Sequence, residues 1–299
     1  MKLQEAFEEF IISRRLKGLA PKSIVDYTNL IKPLIRFFGS DYQIEELSKE
    51  EIDKFVLTLY DKDLATASIA TYIRNNKIFL KWLEANYSIS VSAKNIIIPK
   101  VPKKLVKIYS DKEIGMILKA VVSKNKWLTA RNRAMVFLML DSGLRQNEVC
   151  TLLRKNIDFE RHIMKVIGKG NKERHIYFGK TVGVLLRQYI ELMPYYESEF
   201  MFVNRFGEPL TTDSIKHLVA RIAKRLPFEF SSHKLRHNFA TNYCIDQYEK
   251  HGRIDIYMLM NLMGHEDIET TMIYLHHAMG MISASSDCSH IDSIDIELL

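Results

Sequence analysis

The sequence has little cysteine and no long apolar segment, and each absence argues against a class of protein. Only three cysteines occur in 299 residues, which suggests neither a disulfide framework nor a metal cluster and favours a reducing compartment. No apolar run approaches the ~20 residues that cross a membrane. The first ten residues mix charged and apolar side chains, unlike a signal peptide. We therefore expect a cytoplasmic protein with no membrane partner.

The composition is that of an ordinary globular protein with an excess of positive charge. Hydrophobic residues make up 47% and charged residues 26% of the chain. The formal net charge is +7 and the pI about 9.1. This balance favours polyanionic partners such as nucleic acids, but does not by itself establish one.

Residues 1–98 are predicted to form a helical domain. Ser23–Asp26, just after Pro21, has the form of a capping box, and Ser48–Glu51 repeats the pattern. A third helix is predicted over about 66–85. Its outer face carries three cations at spacings of three and four, namely Arg74, Lys77 and Lys81. This face is either simply solvated or a surface that binds phosphates.

Residues 99–108 are predicted to be a basic linker between two domains. The segment contains two prolines, which cannot continue a helix, and four lysines. Lys103 and Lys104 are its candidate DNA contacts.

The second domain, residues 109–275, is predicted to be mainly helical with one small antiparallel sheet. The segments 162–167 and 172–178 are rich in β-branched residues and flank the glycine-containing turn 168–171, which is typical of a β-hairpin. The tail, 276–299, contains no lysine or arginine and four acids. It is therefore not a DNA-binding arm; it is either disordered or a surface for a protein partner.

Two cations of this domain are candidate functional residues. Arg145 follows an apolar helix and Gly143, so it is either an ordinary surface residue or a guanidinium at a pocket wall, which Glu148 can orient. Lys169 lies in the hairpin turn, where lysine is common, but where it can also reach a substrate and donate a proton.

Two further stretches add histidines and a tyrosine. His233 and Arg236 share one face of a helix, and the His233–His237 spacing resembles a zinc motif only weakly, because Lys234 occupies the glutamate position. Met263 and Gly264 are predicted to end a helix, with His265 in the following loop. Thr270 or Thr271 is predicted to cap the next helix, early in which Tyr274 lies.

Together, these residues indicate phosphoryl chemistry without a metal. A phosphodiester in transfer concentrates negative charge on its equatorial oxygens, which metal ions or fixed cations must neutralise. These stretches contain no convincing acidic metal cluster, but they supply two arginines, a lysine and histidines.

The chain resembles the tyrosine recombinases, the phage-integrase and Xer-type superfamily, over nearly its whole length. The matching motifs are Gly-Leu-Arg-x-x-Glu at Arg145, Gly-Lys-Gly-Asn-Lys-Glu-Arg at Lys169, His-x-x-Arg-His at His233, and Leu-Met-Gly-His through Thr-Thr to Tyr274. The resemblance implies an α-helical, SAM-like core-binding domain followed by an α+β catalytic domain. It requires no cofactor and no metal.

The resemblance also implies a role for each motif residue. Tyr274 would attack the scissile phosphate and form a 3′-phosphotyrosine. Arg145 and Arg236 would bind the non-bridging oxygens, and His265 would hydrogen-bond the phosphate. His233 would accept the tyrosine proton, and Lys169 would protonate the departing 5′ oxygen.

The partners that the resemblance implies are double-stranded DNA with a specific recombination site and a tetramer that passes through a Holliday junction. The tetramer contains one recombinase or two different ones, with or without accessory proteins, and the tail docks on a neighbouring protomer. The protein would be nucleoid-associated and act in dimer resolution or in integration and excision of a mobile element. The alternatives are a type IB topoisomerase, a catalytically silent DNA-binding regulator and a metal-dependent nuclease.

Overall fold

The computed structural model describes residues 1–101 and 107–285, apart from the side chains of Lys169 and Ser285. The chain divides into two compact units, Met1–Lys104 and Leu105–Leu299. The described residues do not include Lys103, Lys104 or the tail beyond Ser285. The roles predicted for these residues therefore stay predictions.

The first unit is helical, as predicted. Its α-helices are α1 (Leu3–Leu16), α2 (Pro21–Phe38), α3 (Lys49–Tyr60) and α4 (Thr66–Asn86). The core between them is rich in aromatic rings. Phe79 is fully buried, and its ring lies 5.2 Å from that of Phe10 and 6.1 Å from that of Phe7. Edge-on contacts of this kind add to the free energy gained by burial.

The two predicted capping boxes of this unit have different outcomes. Ser48 caps α3, because its hydroxyl accepts a hydrogen bond from the Glu51 backbone amide. The prediction for Ser23 was wrong: the cap position is three residues earlier, at Ala20, and α2 begins at Pro21. Proline is preorganised for the first helical position and needs no amide partner there, so it decides the start.

The second unit surrounds one large core and carries the predicted sheet. Its strands are β1 (Ile157–Asp158), β2 (Ile163–Ile167) and β3 (Glu173–Tyr177). β2 and β3 pair antiparallel, with Lys165 opposite His175, which confirms the hairpin, and β1 adds a short edge strand. The helices are α5 (Asp111–Ala120), α6 (Lys126–Ser142), α7 (Gln146–Cys150), α8 (Lys180–Leu192), α9 (Thr212–Ala223), α10 (Ser232–His251), α11 (Ile256–Met263) and α12 (Glu269–Ser285).

Helix α6 positions the first of the predicted site residues. Ala134, Val136 and Leu138 on this helix are fully buried, and α6 packs against α8 and α10. The helix ends at Gly143 in a left-handed conformation with φ 62°, and Arg145 follows immediately at the start of α7. A rigid, buried helix therefore fixes where the Arg145 backbone lies.

The described ranges contain neither a membrane-spanning helix nor a metal-binding cluster. None of the helices there is long and apolar enough to cross a membrane. No group of three or more histidine, cysteine, aspartate or glutamate side chains that could hold a metal ion was found within the same ranges.

We predict that Phe79→Ala will lower the stability of the first unit by about 3–5 kcal/mol, because a fully buried ring leaves a cavity in an aromatic core. Ile12→Ala, at a side chain that is 54% exposed, should change stability by less than about 0.5 kcal/mol. Urea unfolding of the full chain measures both. Equal shifts for the two variants would contradict the packing described for Phe79.

Candidate active site

A buried carboxylate joins two arginines at the centre of the second unit. The side chain of Glu148 is 3% exposed and accepts hydrogen bonds from Arg174 at 2.9 Å and 2.8 Å, one on each oxygen. It also accepts one from the Arg145 guanidinium at 3.1 Å and one from the Arg145 backbone amide at 2.9 Å. Glu148 thus orients Arg145, as the sequence predicted. Burial raises the pKa of this carboxyl, but the bonds from Arg174 and the charges of both arginines outweigh burial and lower it.

The ends of two helices hold the arginines of the site. Arg236 donates to the carbonyls of Gly143, just after α6, and Met263, the last residue of α11. Arg145 donates to the Gly264 carbonyl at 2.8 Å, and Arg174 donates to that of Leu262 at 3.0 Å. Carbonyls at a helix C-terminus lack helical partners and carry partial negative charge. The two helix ends therefore stabilise a cluster of cations that would otherwise repel one another.

Two glycines make these helix ends possible. Gly143 and Gly264 have φ of 62° and 61°, a region that other residues adopt at a cost. A Cβ at Gly143 would lie 2.4 Å from the Phe239 ring, and one at Gly264 would lie 3.0 Å from the Arg174 guanidinium. A side chain at Gly264 would thus crowd the arginines as well as strain the backbone.

A chain of hydrogen bonds runs from Arg236 through His265 to α12. Arg236 Nη2 lies 3.0 Å from His265 Nε2, and His265 Nδ1 lies 2.8 Å from the Thr271 hydroxyl oxygen. Thr271 is fully buried in the first turn of the helix that bears Tyr274. The prediction that Thr270 or Thr271 caps this helix was wrong, because the helix already begins at Glu269 and the Asp267 carboxylate accepts from the Glu269 amide at 3.0 Å.

A pair of histidines on α10 also lies close to Tyr274. His237 Nε2 is 2.8 Å from His233 Nε2, and the His237 ring centroid is 5.1 Å from that of Tyr274. The His265 ring stacks on Tyr274 at 6.2 Å with an interplanar angle of 13°. The tyrosine ring therefore lies beside two imidazoles.

Two adjoining cavities open onto these groups. The smaller, of about 410 Å³, is lined by Arg145, His233, Arg236, His265 and Tyr274, among others. The larger, of about 840 Å³, shares Arg145 and His265 with it and extends to Gly168 in the hairpin turn and to Arg174. Of these two cavities, only the smaller is lined by the tyrosine.

Burial and the surrounding cations set the protonation states in the site. Burial raises the pKa of the Tyr274 hydroxyl, and the charges of Arg236 and Arg145 only partly oppose it. Burial, together with nearby charges that include Arg236, lowers the pKa of His265 and of His237 to about 4. Burial and Arg145 lower the pKa of Arg236 to about 10. At neutral pH Arg236 is therefore charged, His265 and His237 are neutral, and the Tyr274 hydroxyl keeps its proton.

The structure brings five of the six predicted catalytic side chains to one cavity: Arg145, His233, Arg236, His265 and Tyr274. Lys169 begins the hairpin turn, beside Gly168 of the larger cavity, and its side chain lies outside the described residues. On the first unit, Arg74 and Lys81 are exposed. Lys77 is not free on that face, because its ammonium donates to the Ile96 carbonyl at 3.0 Å.

Sequence reasoning assigned no role to three residues that complete the site. Arg174 was noticed only as part of a motif, Thr271 only as a cap and His237 only as a zinc ligand to be rejected. The bond from Arg174 to Glu148 spans 26 residues, so no local pattern predicts it. The i, i+3 spacing of Thr271 and Tyr274 on one helix was a usable signal for Thr271.

Comparison with protein families gives two matches along the chain. The model of the phage integrase family matches residues 108–281, more than half of the chain. The model of the phage integrase N-terminal SAM-like domain matches residues 6–88.

Individual relatives agree with the family models. The chain is 27% identical to tyrosine recombinase XerC of Lactobacillus leichmannii over 296 residues, covering 95% of this chain and 97% of that protein. It is 29% identical to tyrosine recombinase XerC of Corynebacterium glutamicum over 254 residues, covering 81% and 80%.

Solved structures share the fold. The Tn1549 transposon integrase in complex with a circular intermediate DNA superimposes with a TM-score of 0.75 at 16% identity, covering 95% of this chain and 99% of that one. A lambda integrase dimer bound to a COC′ core site gives 0.73 at 20% identity, covering 92% and 95%. Because the family model matches more than half of the chain, the chain belongs to the phage integrase family. Its likeness to the XerC proteins along most of its length further supports a site-specific tyrosine recombinase of the Xer type.

We predict that Glu148→Gln will destabilise the second unit by about 3–5 kcal/mol at pH 7, because it leaves two arginines without their buried counter-charge. The pKa of Glu148 in the folded state is lowered. Its contribution to the free energy of unfolding is therefore complete above the ordinary pKa of 4.5 and is lost as the pH falls through the folded-state pKa. The difference between wild type and variant, measured by urea unfolding, should therefore narrow in acid. Asp213→Asn, at an exposed ion pair with Lys216, should change stability by less than about 1 kcal/mol. A difference in unfolding free energy between wild type and Glu148→Gln that does not depend on pH would contradict this explanation.

Proposed function

We propose that the chain breaks and rejoins DNA strands through a 3′-phosphotyrosine on Tyr274. The observation that carries the proposal is the position of this hydroxyl-bearing side chain in one cavity with Arg145 and Arg236. The oxygen of Tyr274 attacks the scissile phosphorus, the bond from phosphorus to the 5′ oxygen breaks, and the 5′ strand leaves. Because the phosphodiester energy is kept in the new bond, rejoining requires no ATP.

Fixed cations stabilise the charge that develops in this step. Arg145 and Arg236 bind the non-bridging oxygens, and His265 adds a hydrogen bond. A guanidinium has five N–H donors. Arg145 uses two of its N–H groups on Glu148 and the Gly264 carbonyl, and Arg236 is held by two helix-end carbonyls, so both keep donors for the phosphate. Donors held in position before the reaction lower the barrier because they do not need to reorganise.

Proton transfers require a base and an acid. The pKa of Tyr274 is raised by burial, so its hydroxyl is protonated at neutral pH and a base has to take the proton. His233 is the proposed base, with His237 bonded to it and packed beside the tyrosine ring. Lys169 on the hairpin turn is the proposed acid that protonates the 5′ oxygen.

The proposed partners are duplex DNA with a specific recombination site and three further protomers, which exchange strands through a Holliday junction. The DNA-bound integrase structures with the same fold support DNA and multimer assembly. Residues 1–98 would bind the site and 99–108 would link them to the catalytic part, 109–275. Arg74, Lys81, Lys103 and Lys104 are the proposed backbone contacts, and the tail from 276 is the proposed contact with a neighbouring protomer. Nucleoid association would follow from the same DNA binding.

Two other functions remain alternatives. A type IB topoisomerase uses the same covalent chemistry without exchanging strands. A silent DNA-binding regulator would keep the fold without cleavage; the site described above, with its tyrosine and two arginines in one cavity, favours an active enzyme.

The nucleophile is tested by covalent capture in host cells. Protein is denatured with detergent, protein-linked DNA is precipitated, and its ends are sequenced. We expect wild type to give adducts at one or a few sites and Tyr274→Phe, which lacks only the attacking oxygen, to give none. Adducts scattered across the genome would indicate a topoisomerase, and equal recovery with both proteins would remove Tyr274 from the mechanism.

The base is tested by the pH dependence of single-turnover cleavage on the captured site. Burial and the charge of Arg236 lower the pKa of His233 below 6.5, so the wild-type rate should not depend on this group above pH 6.5 and should fall in acid as His233 is protonated. His233→Gln should cleave about 10²–10⁴-fold more slowly at pH 7 and lose this acid limb. If the cleavage rate of His233→Gln falls in acid as it does in wild type, a group other than His233 is responsible for the pH dependence.

A further inference from the structure

The hydrogen bonds of His265 define its tautomer in the DNA-free protein. A guanidinium carries donors and no acceptor, so Arg236 Nη2 donates to His265 Nε2, which has no proton. The neutral ring then carries its proton on Nδ1 and donates it to the Thr271 hydroxyl oxygen, 2.8 Å away. The neutral form is expected, because burial and the charges of Arg236, Arg145 and Arg174 all disfavour a charged ring.

This tautomer cannot perform the role proposed for His265. A hydrogen bond to a phosphate oxygen requires a proton on the ring nitrogen that faces the cavity, and in the free protein that nitrogen accepts from Arg236. Because the lowered pKa of His265 keeps its ring neutral at pH 7, donation to phosphate requires the other neutral tautomer, in which Nε2 carries the proton and Nδ1 needs a donor. The neighbour at Nδ1 is the Thr271 hydroxyl.

Resting on the proposed function, we propose that Thr271 is a positioning residue that allows His265 to exchange tautomers when the scissile phosphate binds. A hydroxyl both accepts and donates, so Thr271 accepts from Nδ1–H in the free protein and donates to bare Nδ1 in the complex. One proton leaves Nδ1 for water and one reaches Nε2 from water, so the net charge is unchanged.

The exchange also changes what Arg236 can bind. Once Nε2 is protonated it no longer accepts from Arg236 Nη2, and that N–H becomes available to a phosphate oxygen. A single tautomer change thus provides two donors to the phosphate. Thr271 is fully buried and lies one turn before Tyr274 on the same helix. Burial keeps the Thr271 hydroxyl aligned with the His265 ring.

The test compares two variants that differ in one group. Thr271→Val keeps the shape and removes the hydroxyl, whereas Thr271→Ser keeps the hydroxyl. We expect Thr271→Val to slow single-turnover cleavage of the captured duplex about 10- to 100-fold with an unchanged Kd for uncleaved DNA, and Thr271→Ser to stay near the wild-type rate. Equal rates for wild type and Thr271→Val would overturn the proposal.

A spectroscopic measurement separates this role from a purely structural one. The ¹⁵N chemical shifts of the His265 imidazole distinguish the two tautomers, and Tyr274→Phe allows the uncleaved complex to be studied. We expect Nδ1–H in the free protein and Nε2–H on the captured duplex; the same tautomer in both states would overturn the proposal even if Thr271→Val failed to fold. Adducts with Tyr274→Phe, or none with wild type, would instead overturn the proposed function. Loss of adducts in Tyr274→Phe, with normal cleavage in Thr271→Val, would overturn only the tautomer exchange.

Discussion

The site depends on a buried carboxylate between two arginines. Glu148 is hydrogen-bonded on both oxygens by Arg174 and also binds the guanidinium and the backbone amide of Arg145. Removing charges from water is costly unless they are paired and their hydrogen-bonding capacity is filled. Here one carboxylate connects the start of α7 to strand β3, so the hairpin and Arg145 are fixed relative to each other.

The remaining positive charge is balanced by the backbone instead of by further acids. The carbonyls at the ends of α6 and α11 accept hydrogen bonds from Arg145, Arg174 and Arg236, which lets three guanidinium groups lie close together. A second carboxylate would reduce the positive charge of the cluster and weaken its attraction for phosphate. Carbonyl dipoles hold the arginines in place and leave their full charge available to an anionic substrate.

The same cations decide the states of the other groups. A positive, partly buried site keeps His265 and His237 neutral, with pKa values of about 4, and neutral imidazoles can accept protons or exchange tautomers. Tyr274 experiences opposing effects, since burial raises its pKa while Arg236 and Arg145 lower it. An anionic phosphate would reduce the positive charge, so substrate binding itself changes the balance that the histidines experience.

Sequence alone determined the division into a helical part and an α+β part, the hairpin, and six candidate catalytic residues. All three follow from local signals: the spacing of hydrophobic residues, the residue types in turns, and clustered motifs. The sequence pattern placed the start of two helices wrongly. Helix α2 begins at Pro21 and is not capped by Ser23, and at the start of α12 the Asp267 carboxylate accepts the hydrogen bond in place of Thr270 or Thr271. Only the tertiary structure decided that Arg174 shares Glu148 with Arg145, that His237 packs on Tyr274, and that Thr271 binds His265. The contacts of Arg174 and His237 join residues far apart in the chain, and the chemistry of each group follows from burial and from neighbours that the local sequence does not specify.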